Sequence, residues 1–273
     1  MHQLSVSEFS SYRWSFFQDI IKCTSLGFGT VGLWREKVAD FGFENAAELI
    51  DEMNISVSSL SWAGGFTGSD GRSHREAIED AIDAVFQAHM VGADKLIVHA
   101  GGRNGHTEKH ARRLLTQALD EITPLAGDLD ITLLLEPILT PMNPWSFVSS
   151  VGSYAEILAE YSSSELGLVL DLFHVGRSQK MAEQIPELVD RIKLVQLSDG
   201  RMNGGEFTRC QLGEGVIPVT GWLATLIDHE FEGDFEIELH GYEFEHADYA
   251  TVLSESRNFC AQVAMSQVSK STR

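Results

Sequence analysis

Short apolar runs alternate with amphipathic segments along the whole chain. The runs are rich in Val, Ile and Leu and are too short for helices, which is typical of strands buried in a parallel sheet. The eight predicted strands are Leu4–Val6, Thr30–Leu33, Ser56–Leu60, Lys95–Val98, Thr132–Leu135, Gly167–Leu170, Ile192–Leu197 and Phe235–Leu239.

The segments between the predicted strands have the periodicity of amphipathic helices. The clearest follows the third strand, where Ser73 and Glu76 form a capping box and the apolar positions recur at helical spacing. Thr107 is the expected N-cap of the next helix. The other helices are predicted to begin near Trp14, Glu44, Trp145, Lys180, Val219 and Glu245.

This alternation predicts an α/β protein with a single (β/α)8 TIM barrel, because parallel strands need helical crossovers and eight strands close a barrel. An open doubly wound sheet would instead place a glycine-rich phosphate loop after an early strand. The glycines at 27–32 precede and enter a strand, which disfavours that alternative. We expect a barrel domain over residues 1–265 and a flexible C-terminal tail at 266–273.

Composition limits the classes of partner. The chain of 273 residues has 40 acidic and 20 basic side chains, a formal net charge of −20. This charge disfavours nucleic acid and anionic membranes as partners. The three cysteines form no C-x-x-C motif, and the N-terminus lacks the features of a signal peptide, so we expect a cytoplasmic protein.

Oxygen-bearing side chains stand at the ends of four successive strands: Glu136, Asp171, Gln196 and Glu238. Barrel strands meet at one mouth, where these side chains should converge. The three carboxylates would repel one another, and a divalent cation removes that repulsion. The all-oxygen set favours Mn²⁺ or Mg²⁺ over Co²⁺ or Zn²⁺. For any one of the four, a helix N-cap or a solvated loop residue is the alternative role.

Further candidates follow the same strand ends. His99 ends the fourth strand, and His174 follows Asp171 by three residues. Each is a candidate substrate-binding residue, with a hydrogen-bonded core histidine as the alternative. Trp34 and Trp62 lie at or just beyond early strand ends, where an aromatic face suits the C–H face of a sugar. The alternative is a structural role, in which the two tryptophan side chains close one side of the barrel.

The motifs LLLEP, LVLDLFH, LVQLSDG, R-x-x-LGEGVIP and FEIELHG resemble those of the xylose isomerase-like TIM-barrel superfamily. Within it, the chain is similar to the sugar phosphate isomerase/epimerase group. The resemblance implies one divalent metal held by Glu136, Asp171, Gln196 and Glu238. Gln196 departs from the family pattern, which usually has histidine there, although some dehydroshikimate dehydratase-like members have glutamine.

The resemblance also implies roles in chemistry. Glu136 and Glu238 would be the catalytic acid–base pair, which removes and returns a proton next to a carbonyl through a metal-stabilised enediolate. His174 matches a family histidine that touches a substrate oxygen. An arginine after the seventh strand commonly does likewise, and Arg209 is the first choice, with Arg201 second.

These roles imply a metal-dependent isomerase or epimerase that acts on a sugar, a sugar phosphate or a related polyol. Two alternatives use the same site: a dehydratase of a keto acid or inosose, and a non-catalytic sugar-binding barrel. DNA-repair endonucleases of the superfamily need more strand-end histidines and a less acidic surface. The expected partner is a small carbohydrate or keto acid, and association into a homo-oligomer is left open.

Overall fold

The computed structural model describes residues 3–139 and 143–271 and contains a closed barrel of eight parallel strands. Around the barrel, each strand lies beside its neighbour in the chain, apart from one antiparallel hairpin inserted after the seventh strand. The strands, in chain order, are β1 (Leu4–Ser7), β2 (Thr30–Trp34), β3 (Ser56–Gly64), β4 (Lys95–His99), β5 (Thr132–Leu135), β6 (Leu166–Asp171), β7 (Ile192–Leu197), β8 (Asp199–Asn203), β9 (Glu206–Cys210) and β10 (Asp234–Ile237).

The predicted TIM barrel is therefore confirmed, and each of the eight predicted strands forms a barrel strand. The largest differences are at strand ends. β3 continues to Gly64, beyond the predicted Leu60, because it stays paired with β4 through a register shift. β10 stops before the predicted Leu239, whose backbone N–H donates to Ser10 Oγ at 2.9 Å instead of to a neighbouring strand.

Helices cover the outside of the barrel. In the described residues they are α1 (Phe16–Ser25), α2 (Arg35–Phe41), α3 (Phe43–Glu52), α4 (His74–Met90), α5 (Glu108–Asp128), α6 (Val151–Leu158), α7 (Leu172–Val175), α8 (Gln179–Leu188), α9 (Val219–Asp228) and α10 (Tyr249–Ser271). None of the described helices is long and apolar enough to cross a membrane. α10 includes residues 266–271 of the expected tail, and residues 272–273 lie outside the described residues.

The two predicted caps are present. Ser73 Oγ accepts from Glu76 N at 3.2 Å, and the Glu76 carboxylate accepts from Ser73 N at 2.7 Å. Thr107 Oγ1 accepts from His110 N at 3.3 Å. The helix expected near Trp145 begins later, at Val151, because Ser150 caps it.

Among the described residues, α2, α7 and the β8–β9 hairpin were not predicted, nor were the short 3₁₀ helices Glu8–Ser11, Val189–Arg191 and Tyr242–Phe244. α2 begins directly after β2, and no side chain caps it, so the sequence carries no start signal. α7 is a single turn capped by Asp171, which accepts from Phe173 N at 2.8 Å. The hairpin strands are mostly polar and are buried at one end only, so they lack the burial alternation of a half-buried strand.

The barrel interior has an apolar half and a polar half. The apolar half is a buried cluster formed by Ile97, Leu134, Val169 and Leu194. In the polar half, Glu236 is fully buried and accepts hydrogen bonds from Ser58 at 2.7 Å and Ser5 at 3.3 Å. A Cβ added to Gly32 would lie 2.1 Å from a Glu236 carboxylate oxygen. The glycine therefore leaves the space that this carboxylate occupies.

A buried ion pair connects α1 to α2. Lys37 Nζ lies 2.6 Å from Asp19 Oδ2, and their side chains are only 8% and 1% exposed. Lys37 also donates to the carbonyl oxygens of Glu8 at 3.1 Å and Ser11 at 2.9 Å. This lysine thus joins the segment after β1 to both helices.

We predict that Lys37→Met lowers the free energy of unfolding by about 3–5 kcal/mol, because it leaves the Asp19 carboxylate buried without its cation. Urea unfolding at pH 7 measures the change. Lys180→Met on the exposed face of α8 is the matched control and should change stability by less than about 0.5 kcal/mol. Equal stabilities of the two variants would show that the buried pair contributes nothing.

Candidate functional site

A cavity of about 440 Å³ opens at the carboxyl ends of the barrel strands. Every strand-end residue predicted to bind metal or substrate lines it, apart from Asp171, which is fully buried. The predicted residues in its wall are Trp34, Trp62, His99, Glu136, His174, Gln196, Arg209 and Glu238. The structure thus brings the sequence-predicted residues together at one mouth.

Strand register explains why the polar residues converge. Asp171 on β6 is level with Gln196 on β7, which is level with Glu236 on β10. Residues at one level of a parallel sheet point to the same face, so these three side chains share the barrel interior. Glu136 and Glu238 each directly follow the last residue of a strand, and Glu238 stands two residues closer to the mouth than Glu236.

Glu136 is held between two histidines. His99 Nε2 donates to Glu136 Oε2 at 2.5 Å, and His174 Nε2 lies 3.6 Å from Glu136 Oε1. Burial raises the pKa of the Glu136 carboxyl, but His99, His174 and Arg209 together lower it to about 2. The carboxylate is therefore ionised at neutral pH.

Asp171 is paired with Arg209, and the β8–β9 hairpin brings them together. The Arg209 guanidinium donates to Asp171 Oδ2 and stacks on the Phe173 ring at 4.2 Å. Asp199 supports the loop that follows the hairpin by accepting from the backbone N–H groups of Gly213 and Gly215, each at 3.0 Å. A buried carboxylate thus obtains its cation from a hairpin outside the barrel.

Gln196 bridges two glutamates. Its Nε2 donates to Glu238 Oε2 at 2.6 Å and to Glu236 Oε1 at 3.0 Å. Burial and the nearby Asp171 raise the pKa of Glu238 well above its usual range. Burial also raises the pKa of Glu236. The Gln196 amide therefore acts as a hydrogen-bond donor to two carboxyl groups.

The donor set fits a divalent cation. One ligand atom each from Glu136, Asp171 and His174 lies within 4.8 Å of the other two. Two carboxylate oxygens and an imidazole nitrogen suit Mn²⁺, Zn²⁺ and related ions. His174, which we expected to bind substrate, thus lies among the potential ligands, whereas Gln196 directs Nε2 to the glutamates.

Two aromatic walls line the mouth, one at β1 and β2 and the other at β3, β4 and the segment that follows β5. In one wall, Trp62 stacks on His99 with the ring centres 5.1 Å apart, and Trp145 meets both rings edge-on. In the other wall, Phe9 stacks on Trp34 at 4.9 Å. Trp34 and Trp62 thus line the cavity.

Sequence reasoning missed the parts that Phe9 and Trp145 play in these walls. His240, which lies shortly after the end of the last barrel strand, also lines the cavity. Phe9 and Trp145 lie in the segments that follow β1 and β5, so their position after strand ends was the available signal. Arg201, the second choice for a substrate-binding arginine, is an exposed hairpin residue 3.7 Å from Glu214.

Comparison with known proteins identifies relatives of the same fold. A family model described as a xylose isomerase-like TIM barrel matches residues 20–262. Protein SMc04130 from Sinorhizobium meliloti 1021 is 23% identical with a TM-score of 0.83, over 94% of this chain and 98% of that one. No curated protein sequence matched.

Two further solved structures are similar. An IOLI protein with a bound zinc atom is 18% identical with a TM-score of 0.83, over 96% of this chain and 97% of that one. An L-ribulose 3-epimerase is 16% identical with a TM-score of 0.81, over 100% of this chain and 97% of that one. At these identities the structural likeness establishes the shared fold. Because the family model covers most of the sequence, this chain belongs to the family of xylose isomerase-like TIM barrels.

Proposed function

We propose that this protein is a divalent-metal-dependent isomerase or epimerase that acts on a sugar or a related polyol. The observation that carries the proposal is the convergence of Glu136, Asp171 and His174 at the floor of a cavity that Glu238 borders from another strand. The cavity volume of about 440 Å³ lies within the range of small-molecule sites, about 300–1,000 Å³.

Glu136 and Glu238 are suited to a two-sided proton transfer. β6 and β7 separate their strands in the barrel, so the two carboxyl groups reach the cavity from different sides. Inversion at a carbon next to a carbonyl requires one group to take the proton and another to return it. In the proposed reaction Glu136 takes the proton, and Glu238 supplies one from the other side.

A divalent cation bound by Glu136, Asp171 and His174 would polarise the substrate carbonyl and make the neighbouring proton more acidic. Arg209, held by Asp171 and Phe173, orients a substrate oxygen. Trp62 and Trp145 exclude water from one side of the reacting carbon. A zinc atom in a protein of similar fold, and the epimerase activity of another, support the proposal.

We predict that the wild-type protein, supplied with Mn²⁺, exchanges a substrate proton with solvent deuterium. Glu136→Gln should slow this exchange by about 10²–10⁴-fold, because it removes the general base. Mass spectrometry of ketoses, inososes and dehydroshikimate incubated in D₂O measures the exchange. Glu187→Gln on the exposed face of α8 is the matched control and should retain the wild-type rate.

Exchange that survives in Glu136→Gln would assign the base to another residue. Exchange accompanied by loss of water from the substrate would favour the dehydratase alternative over the epimerase.

We predict that the protein binds one Mn²⁺ ion per chain and that His174→Ala weakens this binding at least about tenfold. Loss of even an outer partner of a metal ligand typically costs 10–100-fold in affinity. Isothermal titration with Mn²⁺ alone measures the affinity without reference to activity. His229→Ala, an exposed histidine at the end of α9, is the control. Unchanged affinity in His174→Ala would remove His174 from the ligand set.

A further inference from the structure

The mouth of the barrel continues into a second cavity of about 370 Å³. The described residues that line it are Phe9, Tyr12, Trp34, His240, Gly241 and Glu245. Phe9, Trp34 and His240 line both cavities, so the two spaces share a wall. This second cavity is named the outer compartment below. It is by itself within the usual size range of a small-molecule site, about 300–1,000 Å³.

The shared wall is a fixed aromatic platform. Phe9 and Trp34 stack with their ring centres 4.9 Å apart and the planes inclined by 29°. The backbone N–H of Trp34 donates to the buried carboxylate of Glu8 at 2.7 Å, and Lys37 donates to the Glu8 carbonyl oxygen at 3.1 Å. These bonds hold the chain on both sides of the platform, so its rings are positioned before any ligand arrives.

The charges of the two cavities oppose an anionic ligand. Among the described lining residues, Arg209 is the only lysine or arginine, and it already pairs with Asp171. Glu36 lines the first cavity, and Glu245 lines the outer compartment. A phosphate group in the outer compartment would meet the Glu245 carboxylate, and no lysine or arginine is among the described residues that line this space. Arg13, which interacts with Glu245, already donates to Tyr249 Oη at 3.1 Å and to the Ala247 carbonyl oxygen at 3.5 Å.

We propose that the substrate is an uncharged glycoside of two sugar rings, the second of which occupies the outer compartment. This inference rests on the proposed function, which places the reacting ring beside Glu136. The second ring lies with its apolar C–H face against the Phe9–Trp34 platform. Its hydroxyl groups reach Glu245 and His240, which offer hydrogen-bond partners without requiring a charged ligand.

Binding measurements with defined sugars test the proposal. The Mn²⁺-supplied full chain is titrated calorimetrically with D-glucose, glucose 6-phosphate, cellobiose, maltose and trehalose. At least one disaccharide should bind about tenfold or more tightly than glucose, a difference of about 1.4 kcal/mol. Glucose 6-phosphate should bind no more tightly than glucose. Tighter binding of the phosphate, or no advantage for any disaccharide, overturns the proposal.

A conservative variant localises the second ring. Phe9→Leu keeps the apolar volume, and with it the fold, but removes the aromatic face. It should weaken disaccharide binding about three- to tenfold more than it weakens glucose binding, because only the disaccharide places a ring against the outer face of the platform. Phe17→Leu, whose ring on α1 is 50% exposed and outside both cavities, is the matched control. Equal disaccharide affinity in the Phe9→Leu and wild-type chains overturns the assignment of the compartment.

Deuterium exchange separates this inference from the proposed function. Deuterium exchange with a one-ring ketose, together with disaccharide affinities no higher than that of glucose, would overturn the inference. The proposed function would then still stand. Disaccharide binding that depends on Phe9, with no exchange on any sugar tested, would support the outer compartment and overturn the proposed reaction.

Discussion

Crowded carboxyl groups at one end of the barrel are the constraint on which the rest of the site depends. A buried carboxylate is costly unless a cation or hydrogen-bond donor compensates for the water it loses. Here each carboxyl group has at least one partner, and Gln196 serves two of them. The compensating contacts are His99 to Glu136, Arg209 to Asp171, Gln196 to Glu238, and Ser58 with Gln196 to Glu236. A divalent cation at the mouth would join this set of compensating charges.

Most of these partners stand on neighbouring barrel strands, whereas Arg209 comes from outside the barrel. Arg209 reaches Asp171 only because the β8–β9 hairpin follows β7, and the hairpin's continuation is held by Asp199. Gly32 carries no side chain, and the Glu236 carboxylate occupies the space beside it. The barrel therefore has a polar half beneath the site and an apolar half elsewhere. The need to compensate the carboxyl groups at the mouth thus determines which side chains pack in the barrel interior below them.

The residues that line the mouth further limit the kind of ligand that the site favours. Two aromatic stacks line the cavity, and Arg209, the one lysine or arginine among the described lining residues, is already paired with Asp171. Such a site favours a neutral ligand with apolar faces and many hydroxyl groups.

Local pattern determined the fold, because strand and helix periodicities are properties of short segments, and eight such units close a barrel in only one way. It also determined which strands end in Glu136, Asp171, Gln196 and Glu238. Only the tertiary structure decided which side chains pair: that Gln196 donates to two glutamates, that His174 joins the potential ligands, and that Phe9 stacks on Trp34. These contacts join residues of different strands and loops, and their geometry depends on barrel register and loop path, which no short segment of sequence encodes.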